Sequence, residues 1–206
     1  MEKHYQGPKI KICGLTREQD IEAVNEAMPD YIGFVFWRKS KRWLTKEDAL
    51  RLGKMLSPGI QKVGVFVDEE PEVVAALLEE GVIDLAQLHG REDEDYIQSL
   101  RSMTAKKLIK AFTPEALNDP ARIEGSLADM ILLDSGKGSG KTFDWKILEG
   151  IRRPYFLAGG LGFENMETVL SKLQPFGADV SSGVETEGVK DREKILRFVR
   201  MCRERG

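Results

Sequence analysis

The chain has 206 residues, of which 41% are hydrophobic and 32% charged, and 31 Lys plus Arg against 34 Asp plus Glu give a net charge of -3. That length suits one domain with a sizeable core, and a pI near 5.6 argues against a broad basic surface for nucleic acid. No apolar run approaches the roughly 20 residues of a membrane helix, so a soluble, cytoplasmic protein with neither membrane nor nucleic-acid partner is expected.

The first β-rich run is Lys9–Cys13, and Thr16 then caps a helix over Arg17–Met28 with Ile21, Val24 and Met28 on one stripe. Tyr31–Phe36 is the second run, followed by a helix capped by Thr45. Lys62–Val67 is the third, and Pro71–Glu80 sets Val73, Val74, Leu77 and Leu78 at the spacing of one helix face. Leu85–Leu88 and Lys107–Phe112 follow, the latter leading into Thr113 and Pro114 as a helix start. Met130–Asp134, Tyr155–Ala158 and Ala178–Ser181 complete the runs, and Asp191–Arg203 closes the chain with Ile195, Leu196, Val199 and Cys202 on an apolar face. Eight strand-like runs alternate with eight helical stretches at a period of about 22 to 30 residues, the length of a βα unit. The spacing predicts an α/β fold, a single-domain (β/α)8 TIM barrel over residues 1–206. An open doubly wound sheet is disfavoured because no Rossmann glycine pattern follows the first strand.

In such a barrel the functional residues gather at the C-terminal ends of the strands. Cys13 ends the first, with Lys11 two residues earlier on the same face, where a cation favours the thiolate. A free cysteine is as often a small buried hydrophobe, and spacing leaves both readings open. Asp134 ends the apolar run Met130–Asp134, and apolar surroundings predict a raised pKa and a retained proton, although a loop cap is the plainer use. Gly159-Gly160 and Ser181-Ser182-Gly183 close the last two strands, where barrels build phosphate sites from backbone N–H groups. Residues 136–142 lack the Walker A spacing and read instead as a glycine-rich lid. Arg42 suits a bidentate carboxylate clamp, while Arg38 and Lys39 read as solvated. His89 either orients a substrate or bonds neighbouring backbone. With His4 the only other histidine, no His-rich zinc site is available, and Cys13 and Cys202 suit free thiols in a reducing compartment.

Taken together, Lys11-Ile12-Cys13-Gly14-Leu15-Thr16, Gly33-Phe34-Val35-Phe36, Ser40-Lys41-Arg42, Val63-Gly64-Val65-Phe66-Val67, Gln87-Leu88-His89-Gly90, the stretch from Gly138 to Trp145, Gly159-Gly160-Leu161 and the stretch from Asp179 to Glu185 resemble the phosphoribosylanthranilate isomerases of tryptophan biosynthesis. The resemblance implies a cofactor-free, metal-free Amadori rearrangement of N-(5-phosphoribosyl)anthranilate to 1-(2-carboxyphenylamino)-1-deoxyribulose 5-phosphate. It makes Cys13 the general base and Asp134 the general acid. Arg42 is then expected on the anthranilate carboxylate, His89 and Asp179 beside the substrate, and the backbone of Gly160, Ser181 and Ser182 on the phosphate. The implied partner is a small phosphosugar, and the implied assembly a monomer or homodimer. The sequence departs from the family pattern between Ser135 and Lys141, a stretch shorter than in many members, with Lys137 where glycine often stands. A related barrel that isomerises an aminoaldose of histidine biosynthesis uses two carboxylates and two phosphates, and Cys13 counts against it.

Overall fold

A computed structural model describes residues 7–113, 116, 119–136 and 151–204. Eight parallel strands close into a barrel in chain order: β1 Lys9–Cys13, β2 Tyr31–Val35, β3 Gln61–Phe66, β4 Leu85–Leu88, β5 Lys107–Phe112, β6 Met130–Asp134, β7 Tyr155–Ala158 and β8 Gly177–Val180. The strand bounds agree with the sequence reading to within one residue. Pairing of β8 with β1 closes the ring and sets Lys9 opposite Gly177 and Lys11 opposite Asp179.

Alternation along each strand sorts side chains into two apolar layers. Outward residues such as Ile10, Ile12, Ile32, Phe34, Leu108 and Ile131 pack under the helices. Inward residues Tyr31, Val63, Leu85, Ile109, Leu132 and Phe156 fill the barrel, with Tyr31 and Phe156 meeting edge to face at 5.6 Å. The interior is therefore a packed floor, above which the last inward residue of each strand faces the mouth.

The helices are α1 Glu18–Ala27, α2 Lys46–Gly53, α3 Pro71–Glu79, α4 Glu94–Met103, α5 Pro120–Glu124, α6 Phe163–Lys172 and α7 Arg192–Glu204. Thr45 caps α2 as expected, accepting from Asp48 N at 3.1 Å. Thr16 does not cap α1. The buried Asp20 carboxylate reaches back to the N–H groups of Thr16 and Arg17 at 2.9 and 3.0 Å, so the first turn is closed from inside the helix. The helix start expected at Thr113 and Pro114 falls largely outside the described residues, and α5 is capped by Asp119. The expected lid beyond Gly136, and the chain from there to residue 150, also lie outside them. A 3-10 turn, Ser182–Val184, and a two-stranded hairpin, β9 Glu185–Thr186 with β10 Val189–Lys190, follow β8. Among the described residues no helix is long and apolar enough to cross a membrane.

Candidate active site

A cavity of about 520 Å³ opens at the C-terminal ends of the strands, a volume typical of small-ligand sites. Cys13 reaches it from β1, Gln87 and His89 from β4, Asp134 from β6 and Asp179 from β8. Arg42 enters from the loop after β2, and Gly160, Ser181 and Ser182 from the loops after β7 and β8. The eight residues to which the family resemblance gives a role thus open into one cavity, which the barrel topology assembles from positions up to 169 apart (Cys13 to Ser182).

Cys13 sits over a buried ion pair. The Lys11 ammonium, fully buried on the same face of β1, donates to Asp179 Oδ2 at 2.9 Å. Burial opposes the Lys11 charge, but Asp179 and Cys13 outweigh it and hold the ammonium above its ordinary value. Asp179 Oδ1 is buried without a partner among the described residues, an acceptor ready for a hydroxyl. The thiolate-favouring effect expected of Lys11 is overridden. Burial pushes the Cys13 thiol up, Lys11 and Lys190 pull it down, Asp179 pushes it up again, and the net shift is upward. Room for the sulfur comes from Gly33 on the neighbouring strand, where a Cβ would lie 2.6 Å from Cys13 Sγ.

Asp134 faces the same cavity in a different setting. His89 Nε2 lies 3.1 Å from its Oδ2, and Gly136 N donates to Oδ1 at 2.9 Å. Burial raises the carboxyl, yet the His89 hydrogen bond and charge and the Gly136 N–H together bring it below its ordinary value. The raised pKa expected from the apolar run is therefore corrected: Ile131 and Leu133 pack outward and Leu132 lies in the barrel floor, while the carboxyl itself meets polar partners. His89 bonds side chains rather than backbone through its ring, with Gln87 Nε2 2.8 Å from Nδ1.

Arg42 holds a carboxylate bidentately, and that carboxylate is Glu185, with Nε to Oε1 at 2.7 Å and Nη2 to Oε2 at 2.8 Å. Two of its five N–H donors are so committed. Arg38, expected to be solvated, lies 5.8 Å from the Trp43 ring centroid. Sequence reasoning missed Lys190, which is buried and donates to Glu185 at 2.7 Å and to Ser181 O at 2.9 Å. It thereby joins the guanidinium side of the cavity to the loop after β8. It is brought there by the two-residue turn Glu187-Gly188, both at positive φ, which folds β10 back on β9. The glycine loops are tightly shaped: Gly160 has φ +62 with open space where a Cβ would lie, and Gly183 packs so tightly on Leu161 O that no side chain fits. Among the described residues no group of three or more His, Cys, Asp or Glu is arranged to hold a metal.

Residues 10–201 match the family model described as N-(5'phosphoribosyl)anthranilate (PRA) isomerase. An N-(5'-phosphoribosyl)anthranilate isomerase of Endomicrobium trichonymphae is 45% identical over 201 residues, covering 95% of this chain and 98% of its own. Another, from Thermoanaerobacter pseudethanolicus, is 42% identical over 199 residues with the same coverage. Among solved structures, the monomers generated from the dimeric phosphoribosylanthranilate isomerase of Thermotoga maritima align with a TM-score of 0.82 at 35% identity, over 96% of this chain and 99% of that one. A phosphoribosylanthranilate isomerase in complex with reduced 1-(o-carboxyphenylamino)-1-deoxyribulose 5-phosphate aligns with a TM-score of 0.77, also at 35% identity, over 94% of this chain and 97% of that one.

Proposed function

The chain belongs to the N-(5'-phosphoribosyl)anthranilate isomerase family, and from that premise we propose how its residues carry out the isomerisation. The enzyme acts in tryptophan biosynthesis, and the observation that carries the mechanism is that Cys13 and Asp134 open into one cavity from β1 and β6. Asp134 protonates the ribose ring oxygen, the bond from that oxygen to the anomeric carbon breaks, and an iminium forms with the anthranilate nitrogen. The cation acidifies the C2 proton, which the Cys13 thiolate removes, leaving an enolamine that tautomerises to the ketone. One proton leaves Asp134 and one reaches Cys13, so the substrate is isomerised without net proton change.

Burial favours the neutral thiol of Cys13, and the His89 and Gly136 partners favour the charged carboxylate of Asp134, so the reacting forms are the less favoured ones in the free site. Lys11 and Lys190 support the thiolate once it forms. Arg42 binds the anthranilate carboxylate with the donors that Glu185 leaves, and Asp179 Oδ1 accepts from a substrate hydroxyl. His89 lies beside the substrate through its place next to Asp134, and the backbone of Gly160, Ser181 and Ser182 holds the phosphate. The substrate is a small phosphosugar, and each residue assigned to it comes from one chain, which suits either a monomer or a homodimer. Free thiols at Cys13 and Cys202 support a cytoplasmic location.

The test follows the fluorescence decay of freshly made phosphoribosylanthranilate. Cys13→Ser and Asp134→Asn are each expected to cut turnover by on the order of 10² or more while still binding a product analogue. Arg42→Ala is expected to weaken that binding. Wild-type protein that fails to speed the decay overturns the assignment, and a Cys13→Ser protein with full turnover removes Cys13 as base.

A further inference from the structure

We propose that Gln87 is a positioning residue that locks the tautomer of His89, so that the ring N–H sits on Nε2 and faces the Asp134 carboxyl. The inference rests on Asp134 being the acid of the reading above.

Asp134 accepts Gly136 N–H on Oδ1 and faces His89 Nε2 with Oδ2. A carboxylate offers only acceptors, so a stable contact at 3.1 Å requires the hydrogen to sit on Nε2. In that tautomer of the neutral ring Nδ1 is a bare lone pair, and the amide nitrogen of Gln87 stands 2.8 Å from it. That N–H donor cannot face a protonated Nδ1. As long as the amide keeps this orientation, the ring is held in the tautomer that points its N–H at Asp134. Gln87 and His89 are two apart at the end of β4, which points both toward the mouth.

The amide is costly where it is. Gln87 is 1% exposed, and its Oε1 is buried with no partner among the described residues, so an acceptor has been desolvated without a replacement bond. Packing alone would be served better by Met or Leu of similar volume. What the amide returns is the bond to Nδ1. The other titratable groups opening into the cavity are Cys13 on β1, Asp179 on β8, and Lys41 and Arg42 after β2. None is bonded to the Nδ1 edge among the described residues, which leaves Gln87 as the group that sets it.

The experiment is a nitrogen NMR spectrum of protein labelled at imidazole nitrogens, with His4 identified through His4→Gln. In the wild type at neutral pH, His89 is expected to carry its proton on Nε2 and to show an unprotonated Nδ1. Gln87→Glu, which can only accept, is expected to move a proton onto Nδ1 and to lower kcat by roughly tenfold or more with little change in KM. Gln87→Met is expected to remove the donor at Nδ1 and let the ring proton divide between the two nitrogens. A wild-type spectrum with the proton on Nδ1 overturns the proposal even if no variant folds, and so does a Gln87→Glu protein with unaltered His89 signals and kcat. Failure of the acid assignment is a separate result, full turnover in Asp134→Asn, whatever the His89 spectrum shows.

Discussion

At the scale of single residues, Cys13 depends as much on what its neighbour lacks as on the charges around it. A Cβ at Gly33 would stand 2.6 Å from Sγ and 3.1 Å from Cys13 Cα. Gly33 does not sit at positive φ, so alanine strains the backbone little and the nearest displaced atom is the sulfur itself. Gly33→Ala is expected to leave the fold intact and to lower kcat by about 10-fold to 10²-fold, since small misplacements of a reacting group are that expensive. Thermal unfolding measured beside turnover checks it, and unchanged kcat would show that the thiol has room to spare. Lys11 beneath Cys13 was legible because residues two apart on a strand share a face. The pairing of His89 with Asp134 was not, since 45 residues separate them and only barrel closure fixes which strand ends meet. The pKa directions were illegible for a related reason: they depend on burial and on partners such as Lys190 and Gly136 that come from other loops.

At the scale of elements, the β9–β10 hairpin is a brace outside the barrel. Register sets Lys190 opposite Glu185, and the two form a buried ion pair that also holds Arg42 and the carbonyl and hydroxyl of Ser181. Burying both charges is worthwhile only when the remaining donors and acceptors are bonded, and here three donors of Lys190 find three acceptors. Lys190→Met is expected to free the loop after β8 and to weaken binding of inorganic phosphate or a product analogue by about tenfold, the scale of one charge-assisted hydrogen bond. Isothermal titration reads this directly, and undiminished affinity would confine Lys190 to stability. The eight barrel strands were readable because each is a dense apolar run bounded by turn residues. The hairpin was not, because strands of two residues carry no periodicity, and Lys190 looks like any surface lysine ahead of a polar helix start.

At the scale of the whole molecule, the ring is closed twice, by β8 against β1 and by α7 lying beside α1 outside that seam. Ile195, Phe198, Val199 and Cys202 recur along one face of α7 and are all buried, so the last helix seals the join between the two ends of the barrel. Burial pushes the Cys202 thiol from an ordinary 9.0 up to about 12, with Arg203 pulling weakly the other way. The sign follows from proton counting. As pH rises past 9.0 the unfolded chain loses the Cys202 proton first, while the folded chain keeps it until about 12. The folded state then binds more protons, and stability falls with pH at up to about 1.4 kcal/mol per unit for this one group. Below 9.0 both states hold the proton and the contribution is complete. The buried Tyr31 and the half-buried Tyr155 are raised as well, so the wild-type curve alone is composite. The difference between wild type and Cys202→Ala isolates the thiol. Urea unfolding between pH 8 and pH 11 is expected to show wild type losing stability more steeply than Cys202→Ala above about pH 9. At pH 8 a constant gap should remain, about 1–2 kcal/mol for the lost sulfur packing. Parallel curves across the whole range would mean that Cys202 ionises in the fold as easily as in the unfolded chain, and that the seam under α7 admits water.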